Sequence, residues 1–214
     1  MDRLRVGIVI PALNEAASIE SVVEGCLHAG IPIVVDDHSS DVTGDVARRA
    51  GATVVRHAER MGYDGALASG FRCAAELQCE CIVTLDADGQ HDPLLVAAFV
   101  SAIDAGADLV AGVRDRRQRF GEHVFSLVGR ARWGIVDPLC GIKAYRMSLY
   151  KELGHFDSYK SIGTELALFA ANRGKRVRQL PVKTRSRDGR PRFGGGMIAN
   201  GRILRSLFIA LRRF

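Results

Sequence analysis

Several signatures of common enzyme chemistries are missing from this 214-residue sequence. The turn after the first apolar run lacks the glycine fingerprint of a dinucleotide site, and no G-x-x-x-x-G-K-[ST] motif occurs, so nicotinamide and P-loop chemistry are disfavoured. The five cysteines form no C-x-x-C pair, and four of them lie in patterns typical of a helix or a strand. We therefore expect reduced, buried thiols in a cytosolic protein.

Long hydrophobic runs are also missing. No apolar run reaches membrane-spanning length, and the first five residues lead directly into a short strand, so we expect no signal peptide. With 47% hydrophobic residues, the chain can still bury one sizeable core, most simply as a single domain followed by a tail.

Acidic residues are scarce in the last fifth of the chain. From Arg173 onward there are 13 Lys and Arg against one acid, Asp188, so this part carries +12, and residues 1–172 carry 6 − 12 = −6. A basic tail on an acidic body predicts an anionic partner, which could be phosphate, a lipid headgroup or nucleic acid. Nucleic acid is disfavoured, because Phe193 is the only aromatic residue in the basic stretch before the terminal helix.

The most informative stretch runs from Cys81 to Pro93. Its apolar, β-branched beginning predicts a buried strand, and the acidic cluster that follows lies where that strand ends, which is where open α/β sheets bind ligands. Asp86 and Asp88 are two residues apart and can point to one place, with the Gln90 amide oxygen within reach. Such hard oxygen donors suit Mg²⁺ or Mn²⁺, although an isolated D-x-D pair can also be two solvated aspartates.

Polar residues follow two other predicted strands. Pro11 ends the first strand, and Asn14 and Glu15 open the helix after it. Asp36 and Asp37 end the strand that begins at Ile31, where carboxylates can accept hydrogen bonds from a ribose or a base, whereas Ser39, Ser40 and Asp41 suit helix capping.

Glycines and arginines mark two further turns. Gly62 and Gly65 precede a helix whose free N–H groups could face an anion, but glycines there are usually only a turn. Four arginines in six residues, which include Arg114 and Arg119, follow the fifth strand and predict phosphate binding or a solvated loop.

The chain ends in a basic loop and an amphipathic helix. One side of the helix is apolar and carries Ile203, Leu204, Leu207, Phe208, Leu211 and Phe214. The other side carries Arg202, Arg205, Arg212 and Arg213. Such a helix can lie in a membrane interface, or it can dock on the body or on a second subunit, and the sequence leaves these alternatives open.

In order along the chain, these motifs resemble those of inverting family 2 glycosyltransferases with the GT-A fold, and among them the polyprenol-phosphate sugar transferases of the dolichol-phosphate mannose synthase type. The motifs are Ile10-Pro-Ala-Leu-Asn-Glu15, Val35-Asp-Asp-His-Ser-Ser-Asp41, Arg60-Met-Gly-Tyr-Asp-Gly-Ala66, Asp86-Ala-Asp-Gly-Gln-His91, Asp137-Pro-Leu-Cys-Gly-Ile-Lys-Ala-Tyr145 and Arg185-Ser-Arg-Asp-Gly-Arg-Pro-Arg192. Two positions depart from the family pattern, since Cys140-Gly-Ile142 replaces the usual Ser-Gly-Phe turn and Arg192 stands where lysine is common.

The resemblance implies an α/β GT-A fold, with a mostly parallel central sheet flanked by helices and the basic amphipathic helix at the C-terminus. Residues 1–182 would form the catalytic domain, and residues 183–214 the acceptor loop and the interfacial helix. The nucleotide-sugar would contact Pro11, Asn14, Glu15, Asp36, Asp37, Gly62 and Asp86. Mg²⁺ or Mn²⁺ would be held by Asp86, Asp88 and Gln90.

The resemblance also implies an acceptor and a place of action. Arg114, Arg119 and Arg192 would bind the phosphate of a polyprenyl phosphate acceptor. Attachment would be peripheral, on the anionic inner face of the cell membrane, and assembly into a homo-oligomer is left open. A polyprenyl phosphate needs no general base, because it is already ionised. The alternative is a soluble family 2 enzyme that acts on a saccharide hydroxyl with Glu165 as base, although Glu165 could equally have a helix-start or salt-bridge role.

Overall fold

The computed structural model describes residues 4–117, 119–184 and 196–214. Its strands are β1 (Val6–Ala12), β2 (Ile31–Asp36), β3 (Thr53–Arg56), β4 (Cys81–Thr84), β5 (Leu109–Arg114), β6 (Lys143–Arg146) and β7 (Val177–Val182). Its helices are α1 (Ile19–Cys26), α2 (Thr43–Arg49), α3 (Gly62–Glu76), α4 (Leu95–Asp104), α5 (Phe120–Trp133), α6 (Met147–Leu153), α7 (Glu165–Asn172) and α8 (Gly196–Arg213).

The strands form one sheet in the order β3-β2-β1-β4-β6-β5-β7. Neighbouring strands are parallel except at β6, which runs antiparallel to both β4 and β5. The predicted α/β class with a mostly parallel central sheet is therefore confirmed. Because successive strands run the same way, the carboxyl ends of β1, β2 and β4 meet at one edge, which places the three acidic or polar motifs side by side.

Helices cover both faces of the sheet. Alternate strand residues point to opposite sides, so Val83 packs in the cluster with α1 and α4, while Ile82 packs with α3, α5 and α7. Burial on both sides explains why these strands appear in the sequence as continuous apolar runs without polar alternation.

A buried ion pair joins the end of β5 to the turn before β6. The Arg114 side chain donates from Nε and Nη2 to the two carboxylate oxygens of Asp137, at 2.8 and 2.9 Å. Burial alone would raise the pKa of Asp137, but the hydrogen bonds and the charge of Arg114 outweigh it and hold that pKa below its usual range. The first arginine of the predicted basic loop therefore has a fixed position and a permanent charge.

The C-terminal helix docks on the body of the protein. Asn200 accepts a hydrogen bond from the backbone N–H of Gly121 at 2.8 Å, and Arg132 near the end of α5 donates to the carbonyl of Phe214. Helices α5 and α8 therefore run side by side in the same direction. Of the alternatives left open for this helix, the described residues show contact with the body, and the side chains of Ile203 and Leu207 are buried there.

The remaining predictions about the chain fall partly outside the structure. The predicted domain boundary after residue 182 coincides with the end of β7 and stays a prediction. The acceptor loop, with Arg192, lies outside the described residues.

All five cysteines are free thiols and all but Cys73 are fully buried. Within the described ranges, each helix is too short or too polar to cross a bilayer.

Replacing Asp137 with asparagine should lower the free energy of unfolding by about 3 kcal/mol, because the buried Arg114 loses its bidentate carboxylate partner and keeps only the Glu122 carboxylate, 3.7 Å away. The control is Asp45→Asn, which breaks a surface pair with Arg48 whose side chains are 63% and 60% exposed, and should cost less than about 1 kcal/mol. Urea denaturation at neutral pH measures both losses. Equal losses in the two variants would contradict the importance of the buried pair.

Candidate active site

The centre of the site is the carboxylate of Asp86 just beyond β4. The backbone of the Cys140–Ile142 turn passes so close that a Cβ atom at Gly141 would lie 2.0 Å from Oδ2 of Asp86. The turn is also tied to β4, because the Thr84 hydroxyl donates to the carbonyl of Gly141 at 2.7 Å. The turn departs from the family pattern at Cys140, but it keeps the glycine at position 141 that the position of Asp86 requires.

Two neighbours orient the Asp86 carboxylate. The Tyr63 hydroxyl donates to Oδ1 at 3.3 Å, and Nε2 of His91 lies 3.7 Å from Oδ2. Burial and the charges of Asp86 and Asp64 raise the pKa of Tyr63 well above its ordinary value, so the hydroxyl keeps its proton and remains a donor. The Asp86 side chain is still 28% exposed and thus accessible to a ligand.

Asp88 and Gln90 belong to the tight turn that follows. The backbone N–H of Gln90 donates to Oδ1 of Asp88 at 3.1 Å, and Gly89 between them has a left-handed φ of +72°. The predicted metal ligands therefore lie together in one turn at the carboxyl edge of the sheet. Within residues 4–117, 119–184 and 196–214, no three His, Cys, Asp or Glu side chains come together as a metal-binding cluster.

A cleft joins the acidic turn to the arginine loop. It is lined by Asp86, Gln90, His91, Arg114, Arg116, Leu139, Gly141 and Thr184. Carboxylate and guanidinium groups therefore face one space, as a phosphate-bearing ligand with a cation would require. Arg116 was not among the predicted site residues, because a run of arginines does not show which members point into the cleft.

Arg119 is close to Arg114, and binding of an acceptor phosphate by the two stays a prediction. The shared partner is Glu122 in the first turn of α5, whose carboxylate lies 3.0 Å from Nη1 of Arg119 and 3.7 Å from Nη1 of Arg114. Glu122 is 5% exposed, so a buried carboxylate holds both arginines beside the cleft.

The predicted nucleotide-binding residues lie at the neighbouring carboxyl ends of β1 and β2. Pro11 is within β1, and the turn after it is fixed to the β2–α2 loop. The Asn14 side-chain oxygen accepts from the backbone N–H of Ser40 at 2.8 Å, and the Glu15 N–H donates to the Thr43 hydroxyl at 2.8 Å. The sequence-distant motifs around Asn14 and Asp36 thus form one surface.

Asp36 and Asp37 are both buried, and each has a structural contact. Asp36 accepts from the backbone N–H of Ser39 at 2.8 Å and has no exposed surface. The Asp37 carboxylate accepts from the backbone N–H groups of Met61 and Gly62 at 2.7 and 2.8 Å, and so caps the start of α3 from another loop. A contact of Asp36, Asp37 or Gly62 with a nucleotide stays a prediction.

The contacts of Glu165 are those expected for the alternative role, at a helix start and in a salt bridge. It is 1% exposed, and its carboxylate accepts from the Ser158 hydroxyl at 2.7 Å and from Arg213 of α8 at 2.9 Å, with His155 Nε2 at 3.2 Å. These contacts join the start of α7 to the C-terminal helix. The role of Glu165 as a base is not tested by them and stays a prediction.

Lys143 is a buried residue near the site that the sequence reasoning missed. Its ammonium donates to the carbonyl oxygens of Cys140 at 2.6 Å and Gly163 at 3.3 Å, and burial lowers its pKa. It therefore clamps the turn that carries Gly141. The sequence did contain a signal for a buried charge here, because Lys143 stands between apolar residues in a predicted short strand.

Along most of its length the chain is similar to known glycosyltransferases. The chain is 30% identical to undecaprenyl-phosphate mannosyltransferase of Micrococcus luteus, over 91% of this chain and 90% of the relative. It is 28% identical to polyprenol monophosphomannose synthase of Mycolicibacterium smegmatis, over 86% of this chain and 78% of the relative. An uncharacterised glycosyltransferase of Mycobacterium tuberculosis is 33% identical over 98% of this chain and 95% of its own length.

Among solved structures, glucosyl-3-phosphoglycerate synthase of Mycobacterium tuberculosis in complex with uridine-diphosphate matches with a TM-score of 0.78 at 25% identity, over 97% of this chain and 80% of that one. The same enzyme with Mn²⁺ and uridine-diphosphate-glucose has a TM-score of 0.78 at 24% identity, over 97% of this chain and 79% of that one, and at this identity it shows the fold alone. The glycosyl transferase family 2 model matches residues 7–154, and the chain therefore belongs to that family of glycosyltransferases.

Proposed function

We propose that this glycosyltransferase moves a sugar from a nucleotide-diphosphate sugar to a polyprenyl phosphate with inversion at the anomeric carbon, using Mg²⁺ or Mn²⁺. The observation that carries the proposal is the cleft in which the Asp86 carboxylate faces the guanidinium groups of Arg114 and Arg116. A donor diphosphate with its cation suits the acidic side, and an acceptor phosphate suits the basic side.

The residues of the acidic turn fit a divalent cation. Asp86, Asp88 and Gln90 offer hard oxygen donors, and so small a protein ligand set leaves coordination positions for diphosphate oxygens, as Mg²⁺ sites commonly do. When bound, the ion would act as a Lewis acid that neutralises charge on the departing β-phosphate. The close approach of Gly141 keeps the Asp86 carboxylate in place before any ligand arrives.

The donor nucleotide is assigned to the adjacent strand ends. Pro11, Asn14 and Glu15 lie at the end of β1, and Asp36 and Asp37 lie at the end of β2, beside the acidic turn. The uridine-diphosphate complex of the solved relative supports a nucleotide diphosphate as ligand of this fold. In this assignment Asp37 acts through the start of α3, because its carboxylate holds the backbone of Gly62.

An acceptor phosphate removes the need for a base but introduces repulsion between two anions. Arg114 and Arg119 lie next to each other around Glu122 and would relieve that repulsion, together with Arg116 and with Arg192 from the acceptor loop. The names of the polyprenol-phosphate relatives support this acceptor class.

A second candidate is sugar transfer to a soluble acceptor, which the fold match to glucosyl-3-phosphoglycerate synthase brings into consideration. If the acceptor were a hydroxyl, Glu165 would be the candidate base. Both carboxylate oxygens of Glu165 already accept hydrogen bonds from Ser158, and the group is almost wholly buried, so its contacts favour the phosphate acceptor.

The proposed acceptor also sets the place of action. A polyprenyl phosphate is held in a bilayer, and the nucleotide-sugar donor would be cytoplasmic. The enzyme would therefore be a cytoplasmic protein bound peripherally to the inner face of the membrane. In this arrangement residues 1–182 would form the catalytic domain, with the donor site and the arginines Arg114, Arg116 and Arg119, and residues 183–214 would form the acceptor loop and the interfacial helix.

The test is a panel of nucleotide-sugars with either a polyprenyl phosphate or soluble hydroxyl acceptors, in Mg²⁺ or Mn²⁺, scored for release of nucleotide diphosphate. We expect release only with the polyprenyl phosphate.

Asp88→Asn should lower kcat roughly a hundredfold or more, because it weakens the charge that holds the cation.

The matched control is Asp92→Asn, which makes the same change in charge four residues away, where the carboxylate accepts from the backbone N–H of Leu94 at 3.0 Å. It should keep most of the activity. Full activity of the Asp88 variant would contradict the proposed metal site, and release with a hydroxyl acceptor alone would support the second candidate instead.

A further inference from the structure

The loop between α6 and α7 has an unusual backbone conformation. Lys160 and Ile162 have left-handed φ angles of +58° and +59°, which are rare outside glycine and strained for a β-branched residue such as Ile162. Strain of this kind persists only where the surrounding contacts enforce it, and it is concentrated at functional sites. We call residues 157–163 the strained loop and ask which part of the molecule its contacts serve.

Two carboxylates enforce this conformation, because they accept hydrogen bonds from four successive backbone N–H groups, those of residues 160–163. Asp157 accepts the first two, at 2.9 and 2.7 Å. Asp64, in the first turn of α3, accepts from Ile162 at 3.2 Å and from Gly163 at 2.7 Å. Burial and the charge of Asp157 raise the pKa of Asp64 to about 6, so the ionised carboxylate lowers the free energy of unfolding and yet is present. A buried carboxylate with such a pKa is typical of a functional site.

Gly163, at the end of the strained loop, supports the side chain of Tyr63. A Cβ atom at Gly163 would lie 3.3 Å from Cε1 of Tyr63, so the ring packs directly against the glycine backbone. The hydroxyl of the same tyrosine donates to Oδ1 of Asp86 at 3.3 Å. The position of this donor therefore depends on the backbone of Gly163.

The same glycine also supports the surroundings of the other Asp86 oxygen. The carbonyl of Gly163 accepts from the Lys143 ammonium at 3.3 Å, and this ammonium donates to the carbonyl of Cys140 at 2.6 Å. The next residue after Cys140 is Gly141, whose backbone lies against Oδ2 of Asp86. Lys143 therefore ties the Gly141 turn to the strained loop.

We infer that Gly163 and Asp64 are positioning residues for the Asp86 carboxylate. Two routes lead from the backbone of Gly163 to Asp86, one through the Tyr63 hydroxyl to Oδ1 and the other through the Lys143 ammonium to the turn beside Oδ2. Asp64 fixes the origin of both routes, because it holds the N–H of Gly163. Outer contacts of this kind orient a metal-binding carboxylate before the metal arrives. Only the link to cation binding rests on the proposed function.

Gly163→Ala tests the inference, because the added methyl group would press on the Tyr63 ring. It also places an L side chain at a φ of +67°, which costs stability by itself. The matched control is Gly174→Ala, where φ is +66° and a Cβ would meet nothing within 4 Å among the residues that the structure describes. A difference between the two variants therefore reports the contact with Tyr63 and not the backbone strain.

The first measurement is amide hydrogen exchange in the full chain without metal or nucleotide. The reporter is the N–H of Cys140, which donates to the carbonyl of Asp137 at 3.2 Å. Gly163→Ala should speed its exchange at least several-fold relative to the wild type and the Gly174 variant, because the turn loses the fixed end of its lysine clamp. The N–H of Ala52, bonded to Ala47 at 3.0 Å before β3, should exchange at the same rate in all three proteins.

Asp64→Asn is a second variant that adds no volume, so it keeps the test decisive if the Gly163 variant does not fold. The amide of asparagine can accept from only one side, and its NH₂ group would face one of the two loop N–H donors. We expect the same faster exchange at Cys140. Unchanged exchange at Cys140 in the folded variants would overturn the inference.

The second measurement is Mn²⁺ binding in the presence of UDP, followed by the loss of the free-ion signal in electron paramagnetic resonance. Gly163→Ala and Asp64→Asn should weaken Mn²⁺ binding roughly tenfold or more, and Gly174→Ala should bind as the wild type does. Equal affinities in the Gly163 and Gly174 variants would contradict the inference. If the wild type binds no Mn²⁺ with any nucleotide diphosphate, the proposed function fails, and the exchange rates of the metal-free protein still decide whether Gly163 and Asp64 position the site.

Discussion

The site depends on one close approach between two backbones. The Asp86 carboxylate can lie at the carboxyl edge of the sheet only because the neighbouring turn has no side chain at Gly141. That turn is there because β6 enters the sheet between β4 and β5 in the opposite direction. The antiparallel β6, among six described strands that run parallel to one another, therefore brings the acidic turn, the buried ammonium of Lys143 and the arginine loop together.

Charged groups beside the cleft already hold one another. Asp137 fixes Arg114, and Glu122 holds Arg119. Such pairs cost free energy to bury, but they leave the remaining polar groups in defined positions before a ligand binds. The partly exposed Asp86 and the exposed Arg116 are then the groups best placed to meet a diphosphate and a phosphate.

Much of this organisation could be predicted from the sequence, and what could not has a physical reason. Buried apolar runs that end in polar turns locate the strands and the motifs at their carboxyl ends, because that pattern is local. The direction of β6 is not local, since a four-residue strand has the same pattern either way. Residue spacing also cannot predict a contact between residues far apart in the chain, such as Glu165 and Arg213. Asp37 shows a further reason, because a carboxylate that could bind a ligand can equally cap a helix, as Asp37 caps the start of α3.

The central claim is that the Asp86 turn holds a divalent cation on the donor diphosphate, and calorimetric binding of UDP and GDP with and without Mn²⁺ tests it most directly. Gly141→Ala should weaken Mn²⁺-dependent binding roughly tenfold or more, since a Cβ there must displace the carboxylate. Gly30→Ala is the control, because its Cβ would meet the Val6 carbonyl at 2.7 Å at the opposite edge of the sheet. The account predicts that the control keeps Mn²⁺-dependent binding and the Gly141 variant loses it. Nucleotide binding that is indifferent to EDTA, or equally tight in the Gly141 variant, would contradict it.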